Sequence, residues 1–358
     1  MVGKIVPLAG IMKWRLDAKR EIRDCMKVEC CRDASVFETL ASEWNELATR
    51  SLTNTPFQQA EFLAAWWRHF GSGELCVLVM RDDSGRLIAI APLFVDSDGT
   101  ARWVGGEEIA DYLDVIAPAD SMEAAARAMW QWLTSPEAPK WNKLVFSNIP
   151  GWTPTPQTLA SLATADGLKA EVTQLDVCPV VNLPGTFDAY LQQIDSKQRR
   201  EISRKLRKAQ GSEDPVTWYI ADFSRYIGAE TEAFMALMET ASENKAAFLT
   251  PKMRDAFRDI FAVTQKAGLL QLAFLEVGGK KVAAYVQFDY NNRLWVYNSG
   301  INPNVAAALS PGWVLLARLI EQAIAAGRTS YDFMQGSEDY KYRFGGQDTA
   351  VMRVTVEK

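Results

Sequence analysis

Apolar positions along the chain recur with two periods that take turns. Over residues 36–48 Phe37, Leu40, Ala41, Trp44, Leu47 and Ala48 fall three or four apart, the stripe of a helix with one buried face. Residues 57–70 repeat that spacing. Residues 75–80 and 87–95 are short apolar runs around Asp82-Asp83-Ser84-Gly85, and read as a hairpin. A helix is expected over 122–133, a strand over 143–148, a helix over 154–165, and another strand near Ala170. Helices between strands imply an α/β fold with a mixed sheet.

The stretch Cys178-Pro179-Val180-Val181-Asn182-Leu183-Pro184 reads as a link between two lobes. Beyond it the pattern gives a helix over 187–194, a basic helix over 196–210, a strand over 216–220, and two helices ending near Ala267. Three strands follow closely, 269–277, 281–289 and 293–300, turned by Gly278-Gly279 and Asn291-Asn292. A helix over 311–326 stops at Gly327, and strands over 330–334 and 350–356 close the pattern. The expected division is an extension over 1–25, an N-terminal lobe over 26–180 and a C-terminal lobe over 181–358.

Composition narrows the chemistry. The chain has 358 residues, 48% hydrophobic and 23% charged, which suits an ordinary globular protein with a large core. A net charge of -5 gives no general pull toward DNA. No apolar run is long enough to span a membrane, and residues 1–25 match neither a signal peptide nor a spanning helix. The five cysteines lack paired metal-site spacing and read as reduced thiols of a cytoplasmic protein. One histidine, His69, sits in an aromatic helix and reads as a packed residue. A catalytic triad would have to rest on it, and a multi-histidine metal site is excluded. No metal is expected.

The unit richest in chemistry is a strand ending Asn298-Ser299-Gly300, a short loop, and a helix beginning Ser310-Pro311-Gly312. Ser310 suits an N-cap, Pro311 the first helical position, and Gly312 leaves the first turn open. Unpaired amides and the helix dipole there favour a phosphate. The plain alternative is an ordinary capped helix.

The stretch KVAAYVQFDYNNRLWVYNSGINPNVAAALSPGWVLLARLIEQAIAAGRTSYDFMQGSEDYKYRFGG resembles the CelD/BcsL-like acetyltransferases, relatives of the FemABX peptidyltransferases. FDAYLQQIDSKQRREISRKLRKAQ, NTPFQQAEFLAAWW and GRLIAIAPLF are similar to other parts of that family, so the resemblance covers about residues 27–358. It implies a tandem GNAT-like fold in two lobes. It also implies acyl transfer from acetyl-CoA or another acyl-CoA to an amine or hydroxyl of a small molecule or glycan precursor, tied to polysaccharide production. Asn298, Ser299, Gly300, Ser310, Pro311 and Gly312 become donor-binding candidates, Asp332, Tyr340 and Lys341 catalytic candidates, and Gly336 and Arg343 acceptor-binding candidates. The usual GNAT loop, Arg/Gln-x-x-Gly-x-Gly/Ala, is replaced here by Asn304-Val305-Ala306-Ala307-Ala308-Leu309. Coenzyme A therefore rests on the resemblance, and charged tRNA, the Fem donor, stays open.

An acyl thioester is already activated, so chemistry without histidine is reasonable: position the acceptor, polarise the carbonyl, remove one proton. Asp332 could act as base or orient the acceptor, or be a structural carboxylate that caps a turn or pairs with Arg343. Lys341 or Tyr340 could stabilise the oxyanion or protonate the thiolate, or Tyr340-Lys341-Tyr342 could be an edge strand with its lysine in solvent. The basic helix carries Lys197, Arg199, Arg200, Arg204, Lys205, Arg207 and Lys208 against a single Glu201. It reads as a solvated face, or as an anion site in which Arg199, Arg200 and Arg204 hold phosphate. Phe57, Phe62, Trp66, Trp67 and Phe70 read as core, with sugar stacking on Trp66 or Trp67 as the alternative. Besides catalysis, the sequence allows a non-catalytic subunit that binds a nucleotide signal or touches a membrane polysaccharide synthase. No feature argues for an oligomer.

Overall fold

The computed structural model describes residues 26–222 and 226–358. The expected extension over 1–25, with Cys25, lies outside them. The described strands are β1 (Lys27–Cys31), β2 (Glu74–Arg81), β3 (Leu87–Val95), β4 (Thr100–Trp103), β5 (Lys143–Pro150), β6 (Lys169–Asn182), β7 (Val216–Ile220), β8 (Leu270–Val277), β9 (Lys280–Tyr290), β10 (Arg293–Ile301), β11 (Ser330–Asp332) and β12 (Gln347–Glu357). They form one sheet in the order β1-β2-β3-β4-β5-β12-β6-β11-β10-β9-β8-β7. Two neighbour pairs, β4 with β5 and β10 with β11, are parallel, which makes the sheet mixed as the sequence pattern implied.

The 178–184 stretch is not a linker. Residues through Asn182 belong to β6, which pairs with β12 from Lys169 to Val180 and with β11 from Val180 to Asn182. The division expected at 180/181 falls inside this strand, so the two halves are joined by hydrogen-bonded ladders and the separate sheets expected of two lobes are one. The pleat sends alternate side chains to opposite faces. Trp295 and Tyr297 enter a core shared with the helices Ala60–Phe70, Ile227–Ala241 and Pro251–Lys266, while Leu294 and Val296 face the helix Pro311–Ala325. Phe57, Phe62 and Trp66 are buried in the first core, and His69 bonds Asp259 across two helices at 3.0 Å. Cys30, Cys31, Cys76 and Cys178 are free thiols. Among the described residues no helix is long and apolar enough to cross a membrane.

Gly300 has a packing reason. A Cβ there would lie 2.5 Å from Met238 N and 2.7 Å from Leu237 C, so β10 and the Ile227–Ala241 helix approach backbone to backbone. Gly300→Ala is expected to cost about 1–3 kcal/mol of stability as the helix is pushed off the strand. A denaturant midpoint unchanged from wild type would refute this.

Candidate functional site

The parallel strands β10 and β11 pair only over Arg293–Trp295 and Ser330–Asp332. Beyond that they part, for two local reasons. The β10 ladder to β9 shifts register between Val296 and Asn298, a bulge that bends the strand. On the other side the chain leaves β11 at once, because Met334 takes φ 60°, left-handed for a non-glycine residue. The expected strand over 330–334 therefore ends at Asp332.

A cleft of about 570 Å³ opens in this splay, between Tyr297, Asn298 and Ser299 on one side and Phe333, Met334 and Gln335 on the other. Lys245 reaches into it from the short helix Glu243–Phe248, whose N-cap Ser242 accepts from the Lys245 N–H. The Lys245 ammonium donates to Asn298 Oδ1 at 3.0 Å, to Ser299 O at 2.5 Å and to Ser299 Oγ at 3.3 Å. Burial lowers its pKa to about 8, with the nearby charge of Lys341 pushing the same way and Glu338 opposing.

Asp111 enters the cleft from the loop between β4 and the helix Met122–Leu133. Burial raises its pKa to about 7, and the Asp332 and Asp176 charges add to the rise. Lys341 and the Gln335 backbone N–H pull it back. Gln335 Nε2 donates to Asp111 O at 3.1 Å, tying this loop to the far wall. A carboxyl raised by burial and a lysine lowered by burial thus line one cleft, an environment suited to acid–base chemistry.

The sequence candidates divide. Tyr340 and Lys341 line the cleft, though on a helix, Asp339–Arg343, and not on an edge strand. Lys341 is buried. Its Nζ donates to Met334 O at 3.0 Å, Gln335 O at 2.5 Å and Gly336 O at 3.1 Å, and pairs with Glu338 at 2.9 Å. Asp332 has no exposed surface and does not line the cleft. Its Oδ1 accepts from Met334 N at 2.9 Å, and its Oδ2 accepts from Tyr112 OH at 3.1 Å and Arg293 at 3.5 Å. Burial pushes its carboxyl up, against Arg293. Asp332 and Lys341 thus clamp the left-handed Met334 turn from both sides and hold the cleft wall in place. Buried among fixed partners, neither group is disposed for proton transfer. Gly336, at φ 109°, ends that turn, and its N–H donates to Val177 O.

Asn298 and Ser299 line the cleft, while Gly300 is spent on the helix contact. Ser310 does not cap its helix. It is left-handed, φ 53°, and its hydroxyl accepts from Lys205 at 2.8 Å. Gly312 is covered rather than open, since a Cβ there would meet Ile301 Cδ1 at 2.4 Å. Ser310, Pro311 and Gly312 sit behind the cleft wall that Ile301 forms. The basic helix Ser196–Gln210 packs against this region: Lys205 also lies 4.4 Å from the Trp313 ring, and Lys208 donates to Ala308 O at 2.8 Å. Arg199, Arg200 and Arg204 are not brought to the cleft. Arg204 pairs with Glu201 at 2.7 Å, and Arg199 donates to Gln192. Arg343 is exposed and pairs with Asp339. No group of three or more His, Cys, Asp or Glu side chains is placed to hold a metal among the described residues.

Asp111 and Lys245 were missed by sequence reasoning. One signal was present: residues 104–121 form a long stretch without regular structure inside a compact domain, the kind of loop that carries function.

Residues 196–342 match the family model described as Acetyltransferase (GNAT) domain. The cleft described above lies largely within that match. Among solved structures, FemX is similar with a TM-score of 0.62 at 11% identity, over 88% of this chain and 95% of that one. The C-terminal domain of a protein designated a lysylphosphatidylglycerol synthetase from Agrobacterium fabrum gives 0.55 at 12%, over 90% and 92%. L-PGS from Bacillus licheniformis gives 0.51 at 11%, over 83% and 91%. At these identities the likeness is one of fold. No curated protein sequence matches the chain.

Proposed function

We propose that the cleft between β10 and β11 transfers an acyl group from an acyl-CoA to an amine or hydroxyl of a glycan or nucleotide-sugar precursor. The observation that carries this reading is the splay itself. Past Trp295 the edge of β10 that faces β11 has no strand partner, and the Lys245 ammonium is held at that open edge by Asn298 and Ser299, where a thioester carbonyl would lie. The link to glycans rests on the CelD/BcsL-like motifs over 281–346.

In this reading Asp111 removes the proton of the acceptor as its nitrogen or oxygen bonds to the carbonyl carbon. The Lys245 ammonium supplies positive charge where the oxyanion develops. Tyr340, kept in its phenol form because burial holds its pKa well above the ordinary value, donates a proton to the departing thiolate as the C–S bond breaks. Lys341 and Asp332 are positioning residues. Pyrophosphate would meet the 302–310 loop, where Lys205 and Lys208 bring positive charge.

A second reading, aminoacyl transfer from charged tRNA, is favoured by the fold shared with FemX and by the exposed arginines of the basic helix. Calorimetric titration with acetyl-CoA, a charged tRNA and a cyclic dinucleotide separates these readings from a non-catalytic one. Binding of acetyl-CoA alone is expected. Binding of charged tRNA without acetyl-CoA would replace the first reading with the second.

A further inference from the structure

Beside the main cleft lies a second chamber of about 260 Å³. The two spaces share Asp111, Lys245, Tyr297 and Asn298, so the chamber opens where the carbonyl is attacked in the reading above. One side of it is apolar, with Phe248 half-buried at its surface and Ile109, Met238 and Phe257 packed behind, the rings of Phe248 and Phe257 6.0 Å apart. Glu108 and Asn244, both exposed, stand at its lip. The main cleft has a different character, with Ser242, Ser299, Gln335 and Glu338 in its lining.

This contrast sorts the ligand groups. A sugar hydroxyl pushed against the half-buried ring of Phe248 would lose water without gaining a partner. A polar acceptor therefore belongs in the main cleft. The chamber is left to the group on the other side of the carbonyl, the acyl tail, for which apolar burial is favourable. Taking about 30 Å³ for a water-sized group, the chamber has room for roughly eight of them.

Resting on the acyl-transfer reading, we infer that the transferred group is longer than acetyl. It is an aliphatic acyl chain of roughly four to eight carbons, whose tail fills the chamber walled by Ile109, Met238, Phe248 and Phe257. Phe248 is half-buried on the short Glu243–Phe248 helix, so it is the wall residue most easily cut back.

Titration calorimetry of the full chain with acetyl-, butanoyl-, hexanoyl- and octanoyl-CoA tests this. Affinity is expected to rise about fourfold for each added methylene up to the length that fills the chamber. Phe248→Ala enlarges the chamber and should move the preferred chain toward the longer donors. Acetyl-CoA binding as tightly as the longer donors overturns the inference and leaves acyl transfer standing. So does a chain-length profile that Phe248→Ala does not move in a variant that melts cooperatively. Failure to bind any of the four donors overturns acyl transfer from CoA, and the inference with it.

Discussion

Replacing Asp111 with Asn lowers kcat/KM for acyl transfer by about 10³-fold, within the range set by loss of a general base. The loss comes with a changed pH profile. In the wild type, activity rises with pH through about 7 as Asp111 gives up its proton, and falls above about 8 as Lys245 loses its charge. The profile is a narrow bell, and Asp111→Asn removes its acid limb. A stability signature accompanies it. The folded pKa of Asp111 lies above that of an unfolded carboxyl, so between about pH 4 and about 7 the native state holds a proton that the unfolded chain has released. Stability contributed by the protonated acid is therefore lost as pH rises through that window, and the variant loses this share of the slope. Rates measured as thiol release from acyl-CoA from about pH 5.5 to about 9.5, which brackets both limbs, decide the matter. An Asp111→Asn enzyme that keeps the acid limb would return the role of base to another group.

Lys341→Met is expected to lower folding stability by about 3 kcal/mol, and to reduce the activity of the molecules that remain folded. The methionine keeps much of the stem's bulk but leaves Met334 O, Gln335 O and Gly336 O without their shared donor and Glu338 without its cation. The motif reading, a cleft-facing lysine that stabilises the oxyanion, implies the opposite, turnover lost with little cost in stability. Urea denaturation separates the two: an unshifted midpoint with turnover lost would restore a direct catalytic role for Lys341. The same logic makes Asp332 a clamp, because its oxygens are committed to Met334 N, Tyr112 and Arg293.

Much of the fold was legible because it is local. The Gly278-Gly279 and Asn291-Asn292 turns set the β8-β9-β10 meander, and the periodic stripes gave the helices their faces. The 178–184 stretch was misread because its two prolines mimic a linker. Pro179 is accommodated in β6, where its carbonyl still accepts from Phe333 N. For the site, the family resemblance singled out Asn298, Ser299 and the Tyr340-Lys341 pair, which line the cleft, but could not say which other polar groups face it. Asp111 and Lys245 approach Asn298 from 187 and 53 positions away along the chain, and no spacing rule links them to β10. Ser310 carried a good cap residue's identity, yet Lys205 claimed its hydroxyl.

The place of β12 governs when the molecule can finish folding. That strand lies between β5 and β6, pairing with β6 from Gln347 to Glu357 and with β5 from Val351 to Glu357. While a ribosome is still making residues 347–357, β5 and β6 stand as two facing edges across an empty slot, open to a strand from any neighbouring chain. The first half of the protein can thus gather its helices early but must wait for nearly the last described residues to seal its sheet. A nascent chain stalled before residue 347 is the form most exposed to misassembly.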